Sequence, residues 1–476
     1  MLGELQFDGE RRLTDLKEVK RWMNWVKTQV RVGIELEKAG TITGYGDRGE
    51  ARNTVFMRAL ESSNTYEKLS RYNVVRVAHD GSVSGDGNEI LVVGNMEDFA
   101  TAHRKMTALH AIFKQYKLHI DQTTGMHYHL VAAQNDVMPE VILKNLFQLM
   151  RRHYAALLYL TGTTGTTRGT RRVIRHNLGP RSTTGHSQRD YGTTFFKPAH
   201  LHLSPRSSMM LSVKETLIAQ VGRYAAFNMG DGTQNVKDLT RFDHDGNVTT
   251  FHVEFRFPDG SDSPAQIVTQ MFLFRVLLMK AVELSQFGVL RIDDEESWRN
   301  NKRATIMLSD DSLQRGDRYE VSSNGYSGTA EATALVHAEA QGMTFVEAVA
   351  FAKEDARKLI ASLRSHLLSI DGQSLGVLEK LIEKPVWARR ASRNTWERIE
   401  ESLMPKERVI EGLQQNILRV VTLGELTGVP NIANWKFTLS QALGVTQQEV
   451  ATAFKALEQN VQMKFDREVG SYIMVW

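Results

Sequence analysis

Two acidic residues, Glu35 and Glu37, stand two positions apart in a stretch that alternates apolar and acidic side chains. Such alternation over 32–37 predicts a β-strand, and residues two apart on a strand project from the same face. Asp80 and Glu89 flank a predicted turn between two further strand-like runs, so that turn would bring both carboxylates together. Because Mg²⁺ prefers oxygen ligands, these four side chains are candidates for a cation site.

Two later strand-like segments add imidazole and guanidinium groups to these acids. His127 and His129 alternate within Gly-Met-His-x-His, and Glu254 and Arg256 alternate within Glu-x-Arg-Phe-Pro-Asp. Imidazole nitrogen is a common metal ligand, and a guanidinium offers planar donors that match a phosphate group. Each segment taken alone also fits a plainer interpretation: an exposed strand face, a solvated turn, a surface histidine pair or an ion pair within a sheet.

The amino-acid composition excludes several classes of protein and some types of metal ligand. The chain has 476 residues, 41% apolar and 24% charged, which is typical of a soluble globular protein with several domains. It has no cysteine, which excludes disulfides, thiol nucleophiles and thiolate ligands. No apolar run approaches the roughly 20 residues of a membrane span, and the charged start lacks a signal peptide's apolar stretch. We therefore expect a cytoplasmic protein without a membrane partner.

Hydrophobic periodicity predicts strands and helices around the candidate residues, and together they predict an α+β fold. Further strands are predicted at Val74–Ala78, Glu89–Val93, Gly125–Ala132 and Thr249–Phe257. Helices are predicted over 5–30, 97–116, 138–160, 213–227, 264–286 and 328–370.

The segment 161–206 is unlike the rest of the chain because it is rich in Gly, Thr and Ser and strongly basic. It holds eight Lys and Arg side chains against Asp190 alone, a local charge of +7 that exceeds the +4 of the whole chain. Three interpretations stay open. The segment is a polar loop with scattered charge, or arginines such as Arg168 and Arg172 clamp phosphates or a substrate carboxylate, or it binds nucleic acid or an acidic peptide.

The tail, 405–476, is predicted to be a separate winged-helix-like unit. A helix over 407–421 precedes a Gly-containing turn, a helix over 447–459 and a terminal β-hairpin. Basic and acidic residues balance at thirteen each over 371–476. Since phosphate contacts dominate DNA affinity, this neutrality favours a protein-interaction or substrate-docking role, while the basic stretch 384–398 keeps DNA binding open.

The four segments resemble, in type and order, the signature of glutamine synthetase and related carboxylate–amine ligases. The order is Glu-x-Glu, His-Asp…Asn-Glu, Gly-Met-His-x-His and Glu-x-Arg-Phe-Pro-Asp. Arg223 and Asn228 resemble the Arg…Asn element of the smaller amidoligase branch. Only a helix precedes Glu35, and Ser263-Pro264 stands where the family has Asn-Pro, which also favours that branch. The resemblance covers roughly residues 30–290.

This resemblance implies a glutamine-synthetase-like catalytic core over 31–300, with a curved antiparallel sheet flanked by helices. An N-terminal helix (1–30) would precede it, and a helical extension and linker (301–404) would follow. The implied cofactors are ATP and Mg²⁺ or Mn²⁺. The implied metal ligands are Glu35, Glu37, Glu89, His127 and Glu254. The implied nucleotide-binding residues are His129, Arg223, Asn228 and Arg256. The implied catalytic residues are Arg256, which would bind the γ-phosphate, Glu254 and Asp80.

The reaction implied by the resemblance joins a carboxylate to an amine through an acyl phosphate. Asp80 and Glu50 are the candidate general bases. The two substrates are either small metabolites or groups carried on a peptide or polymer, and oligomerisation is left open. The rival hypothesis is a protein that kept this fold, lost the reaction and acts as a nucleic-acid-associated or structural partner. Retention of every implied metal ligand together with Arg256 argues against that loss.

Overall fold

The computed structural model describes a central sheet and the helices packed on it. The described residues are 5–8, 12–40, 74–79, 83, 87–94, 98–120, 124–132, 136–163, 227–228, 241–243, 247–291, 295–309, 342–388, 395–404, 447–459, 463–466 and 471–474. The predicted helices over 213–227 and 407–421 fall outside these ranges, apart from Phe227, as do Asp80 and nearly all of the basic segment 161–206.

The described strands are antiparallel throughout, and six of them form one sheet. These six are β2 (Val30–Lys38), β3 (Val74–His79), β4 (Asn88–Gly94), β5 (Met126–Ala132), β6 (Phe227–Asn228) and β9 (His252–Phe255). The remaining strands form pairs, β1 (Phe7–Asp8) with β10 (Val289–Leu290), β7 (Arg241–Phe242) with β8 (Val248–Thr250) and β11 (Met463–Asp466) with β12 (Ser471–Met474). The strand order in the large sheet is β3-β4-β2-β5-β9-β6.

Helices accompany this antiparallel sheet, so the α+β class is confirmed. They are α1 (Leu16–Thr28), α2 (Phe99–Gln115), α3 (Glu140–Arg152), α4 (Tyr154–Thr161), α5 (Pro264–Leu284), α6 (Glu295–Ser309), α7 (Phe345–Ile370), α8 (Gly372–Glu383), α9 (Thr395–Leu403) and α10 (Gln447–Gln459). Within the described ranges, none of them is both long and apolar enough to cross a membrane.

One face of the large sheet is apolar and packs on α5. Tyr128 and Phe255 are fully buried there, and the ring of Phe274 lies 5.0 Å from the first and 4.3 Å from the second. The Tyr128 hydroxyl also donates to the carbonyl of Ile267 at 3.2 Å. Burial of each such side chain contributes about 1.5–3 kcal/mol. Because side chains alternate along a strand, this packing sends the acidic and imidazole side chains to the opposite face.

The first helix is shorter than the prediction over 5–30. Helix α1 begins at Leu16, where the Asp15 side chain accepts a hydrogen bond from the Lys17 amide at 2.8 Å and so caps the helix. Phe7 instead belongs to strand β1 and contacts the Phe287 ring at 5.3 Å. The spacing of apolar residues predicted a helix here, but Phe7 and Asp8 form a strand because they pair with β10.

The helix predicted over 328–370 begins only at Phe345 within the described residues, because the Thr344 side chain caps it there. Several other predicted elements agree closely with the structure. Strand β2 and helices α2, α5 and α10 lie within two residues of their predicted ends. The helix predicted over 138–160 is two helices, α3 and α4, separated at His153. The predicted strand at Thr249–Phe257 is interrupted between Thr250 and His252.

The C-terminal helix and hairpin of the predicted winged-helix unit are present as separate elements. Helix α10 spans the predicted residues, and β11 pairs with β12 in an antiparallel hairpin. The helix predicted over 407–421 lies outside the described residues, so the winged-helix assignment and the domain boundaries stay predictions.

Glu400 on α9 caps the start of α5. Its carboxylate accepts hydrogen bonds from the Ser263 hydroxyl at 2.6 Å and the Ala265 amide at 3.1 Å, and it also contacts His103 of α2. Burial alone would raise the pKa of Glu400, but these hydrogen bonds and the His103 charge hold the pKa below its ordinary value of 4.5. One ionised side chain therefore joins three helices.

We expect Glu400→Gln to lower the free energy of unfolding by about 2–3 kcal/mol at neutral pH, because hydrogen bonds to a charged group are lost. A carboxylate whose pKa is lowered by folding contributes stability above its unfolded pKa and loses it as pH falls through the folded pKa. The melting temperatures of wild type and variant should therefore differ clearly at pH 7 and differ less near pH 3. The same substitution at its exposed neighbour Glu401 is the control. A gap that stays constant with pH would contradict this role.

Candidate active site

The strand register brings four of the candidate side chains onto adjacent rungs of one sheet face. Glu35 on β2 stands opposite His127 on β5, and His129, two residues further along β5, stands opposite Glu254 on β9. Directly opposed residues of an antiparallel pair have Cβ atoms about 4.5–5.5 Å apart. Two acids and two imidazoles from three strands therefore converge on one face, the arrangement that the family resemblance implies.

His127 lies between three carboxylates. Its Nδ1 atom is 2.8 Å from Glu35 Oε2 and 3.3 Å from Glu254 Oε1, and its Nε2 atom is 3.3 Å from Glu37 Oε1. His129 contacts the other carboxylate oxygen of Glu35. Its Nε2 atom is 3.2 Å from Glu35 Oε1, an ion-pair distance without hydrogen-bond alignment. Glu35 thus contacts both histidines.

The cluster is buried but stays ionised. The exposed fractions of the side chains are 2% for His127, 6% for Glu254 and 18% for Glu35. Burial alone would raise the pKa of Glu35, but the hydrogen bond with His127 and the close contact and charge of His129 hold the pKa well below its usual range. Burial would likewise raise the pKa of Glu254, yet Arg256 and both histidines hold it low. These acids therefore present negative charge where water is largely excluded.

Glu35, His129 and Glu254 form a set that fits a divalent cation. Each offers one ligand atom, and the three atoms all lie within 4.8 Å of one another. Two carboxylate oxygens and one imidazole nitrogen suit Mg²⁺ or Mn²⁺, which favour oxygen-rich sites. The set contains His129, to which the resemblance assigned a nucleotide contact, whereas His127 bridges the carboxylates beside it.

Arg256 follows β9 directly and lies against this set. Its Nη1 atom is 3.1 Å from Glu254 Oε1 and 3.2 Å from Glu254 Oε2. Its buried Nε atom has no hydrogen-bond partner among the described residues. A guanidinium with one donor in use and another buried without an acceptor is suited to receive an anion such as a phosphate.

The segment after Arg256 is fixed by a buried lysine. Lys38, at the end of β2, is 1% exposed, and its Nζ donates to Asp262 Oδ1 at 2.6 Å and to the Ser261 carbonyl at 3.1 Å. Burial alone would raise the pKa of Asp262, but the charge and hydrogen bond of Lys38, together with the charges of nearby histidines, lower it. The strand that carries Glu35 is therefore bonded to the loop that carries Arg256.

Glu37 and Glu89 extend the acidic face towards β4. They stand opposite each other in the register, and Glu37 Oε2 accepts the Gly125 amide hydrogen at 2.5 Å. Glu89 Oε1 instead lies 2.8 Å from Arg76 Nη2, an exposed arginine on β3. Both acids share the face of the cluster, but Glu89 is bonded to a cation of the protein itself.

The remaining predicted site residues are not placed. Asp80, Glu50 and Arg223 lie outside the described residues. For Asn228 the structure gives the backbone, which pairs with Glu254 across β6 and β9.

His252 is a member of the cluster that the sequence interpretation missed. Its Nε2 atom lies 2.9 Å from His129 Nδ1. The signal was present, because His252, Glu254 and Arg256 alternate along one strand and therefore share a face.

Comparisons with known proteins give distant structural similarity. No family model matches the chain, and no curated protein matches its sequence. A bifunctional glutathione synthetase from Pasteurella multocida is 11% identical with a TM-score of 0.36, over 84% of this chain and 57% of that one. A complex between the prokaryotic ubiquitin-like protein Pup and its ligase PafA is 12% identical with a TM-score of 0.37, over 95% of this chain and 90% of that one. The chain thus spans little more than half of the glutathione synthetase, and similarity this distant does not assign a reaction.

Proposed function

We propose that the protein is an ATP- and Mg²⁺-dependent carboxylate–amine ligase of the glutamine-synthetase-like group. The observation that carries this proposal is the set of half-buried Glu35 with buried His129 and Glu254, in which both acids are ionised, beside the Arg256 guanidinium. Two ionised carboxylates and an imidazole offer ligands to a divalent cation, and a neighbouring arginine adds a donor for the phosphate that such a cation binds.

Each residue then has a role in nucleotide binding. Glu35, His129 and Glu254 would hold the cation, which would supply neutralisation of the phosphate charge. Arg256 donates from Nε to the γ-phosphate while Nη1 stays on Glu254. Their low exposure keeps water away from the transferring phosphoryl group, which favours transfer to a substrate over hydrolysis.

The proposed reaction has two steps. An oxygen of the substrate carboxylate attacks the γ-phosphorus, the bond to the β-phosphate oxygen breaks, and ADP leaves. The amine nitrogen then attacks the acyl carbon, phosphate leaves, and a base takes the amine proton. Asp80 and Glu50 stay the predicted candidates for this base.

The proposal also covers how substrate arrives at the site. Thr163 precedes the charged part of the basic segment 161–206, and its amide donates to Asp259 Oδ2 at 2.8 Å. Its hydroxyl donates to the Gly260 carbonyl at 2.6 Å. Thr163 therefore lies beside the loop that follows Arg256, and we propose that arginines of the basic segment bind an anionic substrate group. We assign the tail 405–476 to docking of a protein-borne substrate because its charge is balanced.

The test is ADP release from ATP and Mn²⁺ or Mg²⁺ with a panel of carboxylates, using hydroxylamine as the amine. We expect ADP release that requires a carboxylate, together with the corresponding hydroxamate. Hydroxylamine reacts with acyl phosphates whatever amine the protein normally uses, so the panel need vary only the acid. ADP release that ignores the carboxylate, or none across the panel including protein carboxylates, would contradict the proposal and favour the rival hypothesis.

A further inference from the structure

His252 occupies the position diagonal to His129 on the neighbouring strand. His129 stands opposite Glu254, and His252 precedes Glu254 by two residues on the same face of β9. The two rings are 5.2 Å apart and inclined by 58°, with His129 Nδ1 2.9 Å from His252 Nε2. This geometry is that of a hydrogen bond between ring nitrogens rather than of stacking.

A hydrogen bond between two ring nitrogens needs a proton on one of them and a lone pair on the other. His129 Nδ1 is engaged by His252, so Nε2, which lies 3.2 Å from Glu35 Oε1, is the nitrogen left for the cation set. An imidazole binds a cation through an unprotonated nitrogen. The proton of a neutral His129 ring must then be on Nδ1, which makes His252 Nε2 the acceptor.

We infer that His252 is a positioning residue for the proposed cation site, and that its Nε2 accepts the Nδ1–H of His129 and so aims His129 Nε2 at Glu35 and Glu254. This inference rests on the proposed function because it requires a cation on that face. Histidines that bind metals generally donate their other ring N–H to an acceptor, which fixes both tautomer and ring orientation.

Two substitutions at His252 distinguish a role as hydrogen-bond acceptor from a role in packing alone. In His252→Gln the amide oxygen can occupy the place of Nε2 and accept the same hydrogen bond, whereas in His252→Leu the acceptor is gone. Loss of such an outer partner typically weakens metal affinity 10- to 100-fold. We therefore expect about 10- to 100-fold weaker Mn²⁺ binding for His252→Leu and affinity close to wild type for His252→Gln.

The measurement is a titration of the full chain with Mn²⁺ in the absence of nucleotide, followed by the electron paramagnetic resonance signal of free Mn²⁺. Nitrogen–proton correlation spectra of the histidine rings give a second readout. They should show His129 protonated on Nδ1 in wild type and in His252→Gln, and lose that signal in His252→Leu. The matched control is His119→Leu. His119 is a half-buried histidine in the isolated β-bridge with Ala39, outside the proposed cation set, so this variant should bind Mn²⁺ like wild type.

The outcomes are distinct. Equal Mn²⁺ affinity in wild type and His252→Leu would overturn the inference and leave the proposed function standing. Equal weakening in His252→Gln and His252→Leu would overturn the acceptor role, because the ring itself would then matter. A wild-type chain that binds no Mn²⁺ would overturn both this inference and the proposed function.

Discussion

Glu35→Gln is expected to lower Mn²⁺ affinity by at least about a hundredfold, since loss of an outer partner alone costs 10- to 100-fold and Glu35 is a direct ligand in the proposed site. Its two oxygens contact His129 Nε2 and His127 Nδ1. Glutamine has the same size but carries no charge. The substitution therefore removes a ligand charge with little change in packing, and titration with Mn²⁺ measures the effect.

The fold should survive this change. The charge of Glu35 raises the pKa of its neighbour Glu254, so removing it relieves repulsion between two buried acids. A melting temperature near that of wild type is the expected companion result. Glu379→Gln, which neutralises an exposed glutamate paired with Arg364 at 2.8 Å, serves as control and should bind Mn²⁺ normally. Undiminished Mn²⁺ binding by Glu35→Gln would remove Glu35 from the proposed cation set.

Alternation along single strands allowed much of the site face to be predicted from the sequence. Glu35 and Glu37 share a face because they are two apart, and the same holds for His127 and His129. The apolar residues between them explain why that face is turned away from α5. These are local consequences of the pleat, and a period of two in residue type is enough to predict them.

The contacts between strands could not be predicted in this way, because register depends on pairing between distant segments. Glu35 meets His127 only because β2 pairs with β5, across 92 residues of sequence. Lys38 is a stronger case. It looks like a polar residue at a strand end, yet it is buried against Asp262, 224 residues away. The family resemblance supplied the convergence of the segments, and spacing alone would not have done so.

The resemblance was less informative about individual roles. It assigns Glu89 to a metal, and the structure shows that the Glu89 carboxylate also pairs with Arg76. It assigns His129 to the nucleotide, and the structure places His129 beside two carboxylates that could share a cation with it. Both assignments stay predictions. Small changes of side-chain direction decide such roles, and a motif that records residue types does not contain them.

Arg256→Ala is expected to lower the affinity for ATP about 10- to 100-fold and to leave the affinity for ADP nearly unchanged. Hydrogen bonds to a charged group are worth about 1.5–3 kcal/mol, and every 1.4 kcal/mol is tenfold in affinity. The difference between the nucleotides follows because the proposed ligand of Arg256 is the γ-phosphate, which ADP lacks. Titration with both nucleotides in the presence of Mn²⁺ measures it, and ADP release under the ligation conditions should fall by about a thousandfold.

Two further variants define what the guanidinium contributes. Arg256→Lys keeps the charge but loses the planar donors, so it should bind ATP between wild type and Arg256→Ala. Arg21→Ala, which removes an exposed arginine paired with Asp136 at 3.2 Å, should not distinguish ATP from ADP. If Arg256→Ala weakens both nucleotides equally, the guanidinium acts by holding Glu254 in the cation set rather than by binding phosphate. Unchanged affinity for both nucleotides would show that Arg256 binds neither of them, and would place its guanidinium outside the nucleotide site.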